Sequence, residues 1–505
     1  MTKPRADIAA NTLAFETEAL IKPAGFREYD ARWWFGHAGS DRAPELNLVG
    51  VQALGQGLAA IAFEKGVEPT FVVGHDYRSY SLSIKQALML GLMSGGAKIL
   101  DIGLALSPTA YFAQFDLDAP CVAMVTASHN ENGWTGVKMG VERPLTFGPD
   151  DMSRLKEIVL SGTAEPRPGG AYERVDGVRE RYIADVSSGP KLTRPLKAVA
   201  ACGNGTAGAF APEALRRLGA EVIELDCALD HSFPRYNPNP EDLEMLGELE
   251  KAVKEHGADV GLAFDGDGDR CGVVDDEGVS IYADKVGVLL ARDFAAQHPG
   301  ASFVVDVKST ALFETDPELQ AAGAKTVYWK TGHSYIKRRA KELGAVAGFE
   351  KSGHYFFQPP FGRGYDDGIA AAAAVLRMLE RNPGKSMSDL RRSLPTTWSS
   401  PTMAPECADE KKYGVVEAMT ETYLGLQRDG AKILGQPIKD VVTVNGARVV
   451  LEDGTWGLVR ASSNKPSLVV VVESPTSEDI MRAMFADIET RLADHSEVGA
   501  FDQKL

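Results

Sequence analysis

The alternation of apolar and polar positions along the chain predicts repeated units of strand and helix. Short apolar runs of strand length alternate with longer segments of helical periodicity, an order typical of parallel α/β units. The predicted strands lie at 71–73, 98–100, 121–125, 197–200, 221–223, 258–264, 302–305, 326–328 and 346–348. Helices are predicted at 82–92, 212–218 and 367–379. We therefore expect three successive α/β domains with mixed, mostly parallel sheets.

The pattern changes after the Asn-Pro-Gly turn at 382–384. Residues 394–401, which include Pro395 and Pro401, have the composition of a linker and are the expected hinge for domain rotation. Beyond them, strands at 447–451 and 467–472 and a helix at 477–492 predict a smaller α+β domain. A chain of 505 residues is too long for one ordinary core. We predict domains at 1–170, 171–280, 281–393 and 394–505, arranged around a central cleft.

Composition and charge narrow the class of protein. The net charge of −16 argues against general nucleic-acid binding. No apolar run approaches the length of a membrane span, and the first twenty residues contain Asp7, Glu16 and Glu18 in place of an apolar signal core. The five cysteines show neither paired nor metal-ligand spacing, which is typical of a reducing compartment. We therefore expect a cytoplasmic location and no membrane partner.

The most distinctive local feature is the run Asp265-Gly-Asp267-Gly-Asp269-Arg270, which follows the predicted strand at 258–264. Such clustered negative charge is costly unless a cation neutralises it, and carboxylates suit Mg²⁺ or Ca²⁺. An acidic surface turn is the alternative. A calcium-binding EF-hand is disfavoured, because its sixth and twelfth positions hold Arg270 and Asp276 instead of Gly and Glu.

A second feature is Thr126-Ala-Ser128-His-Asn, which also follows an apolar strand directly. Ser128 is a candidate nucleophile or carrier of a covalent group, although no Gly-x-Ser-x-Gly elbow surrounds it and a turn residue is the alternative. Lys138 is a candidate proton acceptor or phosphate clamp, or an ordinary solvated lysine. Because ligands bind beyond the carboxyl ends of parallel strands, we expect the loops starting at Thr126, Asp265 and Glu350 to line one cleft.

Four segments together resemble one family. Residues 126–130 resemble the phosphoserine loop of the α-D-phosphohexomutases, 265–270 their metal loop, 350–354 their sugar-binding loop and 460–466 their phosphate-binding loop. The four segments occur in family order across nearly the whole chain, and the closest resemblance is to the phosphomannomutase/phosphoglucomutase branch.

The resemblance implies an intramolecular phosphotransferase that interconverts hexose 1- and 6-phosphates of mannose and/or glucose. Ser128 would carry the phosphoryl group, and a hexose 1,6-bisphosphate would form, reorient and also serve as activator. Mg²⁺ would be held by Ser128, Asp265, Asp267 and Asp269. The implied catalytic residues are Ser128, Lys138, Arg270 and His333. The implied substrate-binding residues are Tyr29, Arg32, Lys285, His333, Glu350, Ser352, His354, Arg460, Ser462, Ser463 and Asn464.

Some points stay open at this level. Lys138 can act as a base only if its pKa is lowered, for which Arg32 and Arg270 are candidates, and stabilisation of the phosphoryl group is its alternative role. Trp33 and Lys351 depart from residues common in the family. The other functions considered are a metal-dependent phosphohydrolase, a phosphoglucosamine mutase and a catalytically silent sugar-phosphate-binding protein. The expected partners are small hexose phosphates, with the chain a monomer or homodimer.

Overall fold

The computed structural model describes residues 3–463, 465–503 and 505. The chain forms two compact units. The first unit contains Met1–Val286 and Ser352–Arg391, and the second contains Gly287–Lys351 and Arg392–Leu505. Within the described residues, no helix is both long enough and apolar enough to cross a membrane.

The first unit begins with a six-stranded sheet. Its strands are β1 (Ala31–Trp34), β2 (Thr70–His75), β3 (Lys98–Leu104), β4 (Cys121–Val125), β5 (Trp134–Gly140) and β6 (Ala171–Arg174), in the spatial order β1-β5-β4-β2-β3-β6. Its helices are α1 (Leu13–Thr17), α2 (Leu48–Glu64), α3 (Ser81–Ser94), α4 (Ser107–Asp116) and α5 (Pro149–Ser161). β2 is parallel to β3 and β4, whereas β5 is antiparallel to β4 and β1. Residues 126–130, which we call the serine loop, follow the carboxyl end of β4.

A second sheet of the same unit carries residues 265–270, which we call the acidic loop. The elements are α6 (Val178–Val186), β7 (Lys197–Ala201), α7 (Ala211–Leu218), β8 (Glu221–Leu225), α8 (Leu243–His256), β9 (Val260–Phe264), β10 (Cys271–Asp275) and β11 (Ser280–Ile281), with strand order β11-β10-β9-β7-β8. β7 is parallel to β8 and β9, and β10 is antiparallel to β9. Residues 265–270 therefore form the turn between two neighbouring strands.

Residues 283–392 supply the next set of elements. They are α9 (Ala283–Gln297), β12 (Ser302–Asp306), α10 (Leu312–Thr315), α11 (Pro317–Ala321), β13 (Lys325–Trp329), α12 (His333–Leu343), β14 (Ala347–Phe349), β15 (Tyr355–Phe357), α13 (Gly368–Arg381) and α14 (Met387–Arg392). In the second unit β12 is parallel to both β13 and β14. Glu350 follows β14 directly.

The last part of the second unit is an antiparallel sheet with two long helices. Its elements are β16 (Trp398–Ser399), α15 (Lys412–Arg428), β17 (Lys432–Ile433), β18 (Gln436–Val442), β19 (Ala447–Leu451), β20 (Trp456–Ala461), β21 (Leu468–Ser474) and α16 (Glu478–Leu492), with strand order β16-β21-β20-β19-β18-β17. Apolar side chains from α15, α16 and the sheet form one buried core.

The predicted fold class is confirmed, with mostly parallel sheets followed by an α+β domain. One feature differs from prediction, and one was not predicted. Residues 394–401 are only partly a linker, because β16 pairs with β21 and the Ser400 N–H donates to the Val472 carbonyl at 2.9 Å. The cysteines are all free, but Cys202 and Cys227 lie side by side with 3.5 Å between their Sγ atoms. Spacing along the sequence did not reveal this pair.

Candidate active site

Ser128 is held in a strained backbone conformation on the loop after β4. Its φ of 51° lies in the left-handed region, which costs a residue with a side chain about 1–3 kcal/mol. The Ser128 N–H donates to Thr126 Oγ1 at 3.0 Å, and Arg78 Nη2 donates to the Ser128 carbonyl at 3.0 Å. Ser128 Oγ donates to Asp265 Oδ2 at 2.9 Å and lies 3.2 Å from His129 Nδ1. The buried hydroxyl is therefore directed at the acidic loop.

The carboxylates of Asp265, Asp267 and Asp269 converge, with ligand atoms within 4.8 Å of one another. All three side chains are fully buried. Oδ1 of Asp267 and Oδ1 of Asp269 accept no hydrogen bond from any residue that the structure describes. Buried oxygens normally have a partner, and an all-oxygen donor set suits a hard divalent cation. The cluster could therefore bind such a metal.

Gly266 allows the acidic loop to approach the serine loop. A Cβ atom on Gly266 would lie 2.5 Å from the Ser128 carbonyl oxygen. The Thr206 N–H donates to the Gly266 carbonyl at 3.0 Å, and Ser107 Oγ donates to Asp267 Oδ2 at 2.6 Å. Contacts from separate parts of the first unit therefore fix the position of the three carboxylates.

The crowded carboxylates perturb one another. Burial and repulsion by the other two raise the pKa of Asp265 to about 7. Burial and repulsion by Asp267 and Asp366 raise the pKa of Asp269. Burial acts in the same direction on Asp267, but the ammonium of Lys138 attracts this carboxylate and keeps its pKa below the usual range. A bound dication would relieve the repulsion, because it supplies the largest local charge.

Lys138, on β5, is buried against the same carboxylates. Its Nζ lies 2.7 Å from Asp267 Oδ2 and also pairs with Asp269. Burial lowers the pKa of Lys138, but the two carboxylates raise it by more, so it lies well above the ordinary value. The expectation that Arg32 and Arg270 lower this pKa is wrong, because the nearest charges are negative. This environment favours a fixed positive charge at Lys138.

Arg270 lies beside the acidic loop that it ends. Its side chain is buried, with Nε 3.2 Å from Asp265 Oδ2 and Nη1 donating to Asn239 Oδ1 at 3.2 Å. Arg270 Nη2 is also buried, and it has no acceptor in the described part of the chain. A buried guanidinium N–H without an acceptor indicates a place for an anion.

Arg32 lies beside the serine loop although a tryptophan follows it. Arg32 Nη1 donates to Asn130 Oδ1, and buried Tyr29 is close enough to influence the pKa of Arg32. Trp33 is fully buried, and its indole occupies space that Gly25 leaves open. A Cβ on Gly25 would lie 1.9 Å from Trp33 Nε1. Successive residues of a strand point to opposite faces of the sheet. The Trp33 side chain therefore points away from the face on which Arg32 contacts Asn130.

His354 is a further polar group near the acidic loop. Its Nδ1 lies 3.2 Å from Asp366 Oδ2 and 3.7 Å from Asp269 Oδ1. A carboxylate at this distance stabilises a protonated imidazole. Ser352 and Lys285 are half-buried in the same unit, on the loop before His354 and in the first turn of α9.

In the second unit, Glu350 and the loop before His333 lie together. The Gly332 N–H donates to Glu350 Oε1 at 2.6 Å. The side chains of Glu350 and His333 are both buried. Asp306, the last residue of β12, accepts hydrogen bonds from Thr331 Oγ1 at 3.1 Å and from the Lys351 N–H at 3.3 Å. This buried carboxylate therefore joins the two loops that carry Glu350 and His333.

Arg460 belongs to β20 and is also buried in the second unit. Its Nη1 lies 3.4 Å from Asn445 Oδ1, and Asn445 Oδ1 also accepts from the Thr331 N–H at 3.3 Å. Arg460 Nε is buried without a hydrogen-bond partner among the described residues. The other residues of the predicted phosphate-binding loop are Ser462, Ser463 and Asn464, the last of which lies outside the described residues.

Several buried polar residues that position these groups were not predicted from the sequence. They are Asp76, Arg78, Ser107, Asp306 and Asp366. Asp76, for example, accepts a hydrogen bond from Thr126 Oγ1 at 2.9 Å and so fixes the start of the serine loop. A usable signal was present, because Asp76 directly follows an apolar strand in the same way as the acidic run does.

Comparison with known proteins gives a consistent result. Family models for Phosphoglucomutase/phosphomannomutase match in order: alpha/beta/alpha domain I at 25–165, domain II at 180–278, domain III at 282–398 and the C-terminal domain at 407–491. The chain is 34% identical over 482 residues to phosphomannomutase/phosphoglucomutase of Pseudomonas putida, covering 93% of this chain and 96% of that protein. For the Pseudomonas aeruginosa protein of the same name the identity is 35% over 457 residues, with coverage of 90% and 93%. The crystal structure of a phosphoglucomutase/phosphomannomutase family protein from Burkholderia thailandensis superimposes with a TM-score of 0.82 at 30% identity, covering 95% of this chain and all of that one.

Proposed function

We propose a reaction cycle for this chain, which belongs to the phosphoglucomutase/phosphomannomutase family and is an intramolecular phosphotransferase of hexose phosphates. In this cycle Ser128 carries a phosphoryl group that passes to the substrate and returns from it. One observation carries the assignment: the buried Ser128 hydroxyl lies 2.9 Å from an oxygen of a three-aspartate cluster. An acidic cluster of this kind can hold a divalent cation, and such a cation serves phosphoryl transfer because the reaction spreads negative charge over the phosphoryl oxygens.

Mg²⁺ is the cofactor that we propose. Asp265, Asp267, Asp269 and an oxygen of phosphorylated Ser128 would hold it, and when bound it would neutralise charge on the transferring phosphoryl group. The donor set supports this choice, since all ligands are oxygens and two of the buried carboxylate oxygens accept no hydrogen bond from any described residue.

The first unit supplies the groups for phosphoryl transfer. A hexose hydroxyl attacks the phosphorus while the bond from phosphorus to Ser128 Oγ breaks, and the departing serine oxygen takes a proton from the imidazolium of His129, whose Nδ1 lies 3.2 Å from Ser128 Oγ. Lys138 and Arg270 remain protonated and stabilise the phosphoryl oxygens. His354 accepts the proton of the attacking hydroxyl, because the Asp366 carboxylate at 3.2 Å stabilises the imidazolium that results. Arg32 orients the serine loop through Asn130.

The second unit supplies groups that bind the rest of the substrate. We assign Glu350, Ser352 and His333 to the sugar hydroxyls. Arg460, Ser462 and Ser463 bind the phosphate that is not being transferred. The hexose 1,6-bisphosphate formed in the first half-reaction turns around and returns its other phosphate to Ser128.

The substrates that we propose are glucose and mannose phosphates. These sugars differ only in the configuration of C2, and a site that binds other hydroxyls discriminates weakly between them. The domain limits 1–170, 171–280, 281–393 and 394–505 remain part of the proposal. Three of the family segments fall within these limits, and the segment 282–398 extends past the third one.

A coupled assay tests the proposal. Glucose, mannose, glucosamine and N-acetylglucosamine 1-phosphates are compared with Mg²⁺ and a trace of hexose 1,6-bisphosphate. We expect turnover of the first two, and label transfer from ³²P-labelled bisphosphate to the wild-type protein. Ser128→Ala should lose both signals, whereas Ser161→Ala, at an exposed site on α5, should keep them.

Two outcomes would contradict the cycle. Wild-type-like mutase activity in Ser128→Ala would remove the phosphoserine. Release of inorganic phosphate at the rate of substrate consumption would instead indicate a phosphohydrolase.

A further inference from the structure

We propose that Lys412 is a positioning residue for the phosphate-binding loop, an inference that rests on the function proposed above. Lys412 is the first residue of α15 and is 4% exposed. Its ammonium donates to the Ser462 carbonyl at 2.5 Å, to the Lys465 carbonyl at 3.1 Å and to Asp409 Oδ1 at 2.7 Å. An ammonium has three N–H donors, and all three are used here. Two of them bind backbone of the phosphate-binding loop.

The position of Lys412 is unfavourable apart from these contacts. The first turn of a helix carries positive partial charge, so a lysine there is repelled, and the first turn of α15 contains no acidic residue to offset this effect. Burial of an ammonium adds a further cost unless the group is fully hydrogen-bonded. The bonds to Ser462, Lys465 and Asp409 meet this condition, which explains a buried lysine at this position.

The contacts determine which backbone groups of the loop are left for an anion. Carbonyl oxygens repel a phosphate, whereas N–H groups attract it. The ammonium binds the carbonyls of Ser462 and Lys465, two residues of the predicted phosphate-binding loop at 460–466. The Lys465 N–H also donates to Ser462 Oγ at 3.2 Å, which narrows the turn. Lys412 therefore keeps two carbonyls away from the substrate phosphate and places a positive charge next to the loop that follows Arg460.

The carboxylate of Asp409 partly neutralises the Lys412 ammonium next to the phosphate-binding loop. Its side chain is 46% exposed, so solvent weakens its compensation of the buried ammonium. Removing the Asp409 charge should therefore strengthen the attraction of the loop for anions. Loss of Lys412 should weaken that attraction. The two substitutions have opposite expected signs, which a purely structural role for Lys412 does not predict.

The chain offers a matched control at the neighbouring lysine. Lys411 precedes Lys412 at the same helix end, but its side chain is exposed. Lys411→Met and Lys412→Met change the net charge equally and at nearly the same place. A difference between these variants therefore reports the contacts of Lys412 and not the total charge.

The experiment measures steady-state kinetics with glucose 1-phosphate, and calorimetric binding of inorganic phosphate to the whole 505-residue chain. For Lys412→Met we expect KM and the phosphate Kd to rise about tenfold, equivalent to ~1.4 kcal/mol, with kcat changed less than about threefold. Lys412→Arg should recover most of the affinity, because guanidinium keeps the charge and the donors. Asp409→Asn should lower the phosphate Kd about twofold, and Lys411→Met should match the wild type.

Several results would overturn the inference. One is equal KM and Kd values in Lys412→Met and Lys411→Met. Another is a fall in kcat at unchanged KM. If Lys412→Met does not fold, weaker phosphate binding by Asp409→Asn would refute the inference. Absence of mutase activity in the wild type would refute the proposed function instead, while the order of phosphate affinities among the variants would still test Lys412.

Discussion

Replacing Asp367 with asparagine should stabilise the protein at pH 8 and have much less effect at pH 4. Asp367 is 4% exposed and caps the N-terminus of α13, where its Oδ1 accepts from the Ala370 N–H at 2.9 Å. Tyr182 Oη donates to the same carboxyl group, at 3.0 Å from Oδ1 and 3.1 Å from Oδ2. Burial raises the pKa of Asp367 to about 7 despite these hydrogen bonds.

The sign follows from proton binding in the two states. The carboxyl group titrates near 3.8 when unfolded and at about 7 when folded. Below about pH 4 both states are protonated and the group contributes no pH dependence. Between these pKa values the folded state binds one more proton, so stability falls as pH rises. Above about pH 7 both states are ionised, and the penalty reaches its full value of ~4 kcal/mol, from a difference of about three pKa units.

Asparagine removes the titration but keeps an oxygen that can cap the helix. We would measure the free energy of unfolding in urea for Asp367→Asn and wild type at pH 5 and pH 8. The gain of the variant should be larger at pH 8 by about 2–3 kcal/mol. Asp242→Asn is the control, because Asp242 caps α8 at a partly exposed site. An equal effect of Asp367→Asn at both pH values would refute the reasoning.

Three further predictions concern the site and its support. Gly266→Ala should abolish most mutase activity with little change in circular dichroism, because its Cβ would lie 2.5 Å from the Ser128 carbonyl; full activity would contradict the close approach. Arg448→Met removes a buried guanidinium that donates to the Val307 and Ser309 carbonyls at 2.8 Å. Urea titration should therefore give a free energy of unfolding lower by about 3 kcal/mol, and a loss below about 1 kcal/mol would contradict this prediction. Chelation of divalent metal should stop turnover, and added Mg²⁺ should restore it. Mg²⁺ should also raise the thermal midpoint of unfolding, because a cation relieves repulsion within the acidic cluster, and an unchanged midpoint would contradict a metal site there.

Much of the site was predictable because its residues follow apolar strands directly. Ser128 and Asp265 could be identified as strand-end residues from local pattern alone, and the structure places their side chains in contact. The environment of Lys138 was not predictable in this way. β5 mixes glycine, threonine and lysine with apolar residues, so its pattern is weak. Its partner Asp269 lies 131 residues away in the sequence. Only the packing of the two sheets shows that carboxylates, and not arginines, have the larger effect on the pKa of Lys138.

The buried aspartates at strand ends explain why separate loops keep a common geometry. Asp76 follows β2 and accepts from Thr126 Oγ1 and from Ser81 Oγ, which belong to different segments. Asp306 ends β12 and accepts from Thr331 and Lys351 in the same manner. A carboxylate has several acceptor positions on a short side chain, so one residue can join two loops to the end of a strand. Because the strand is fixed by its sheet, the loops are fixed with it. The positions of these loops therefore depend on buried carboxylates at strand ends, and in the sequence these residues are single acidic letters after an apolar run.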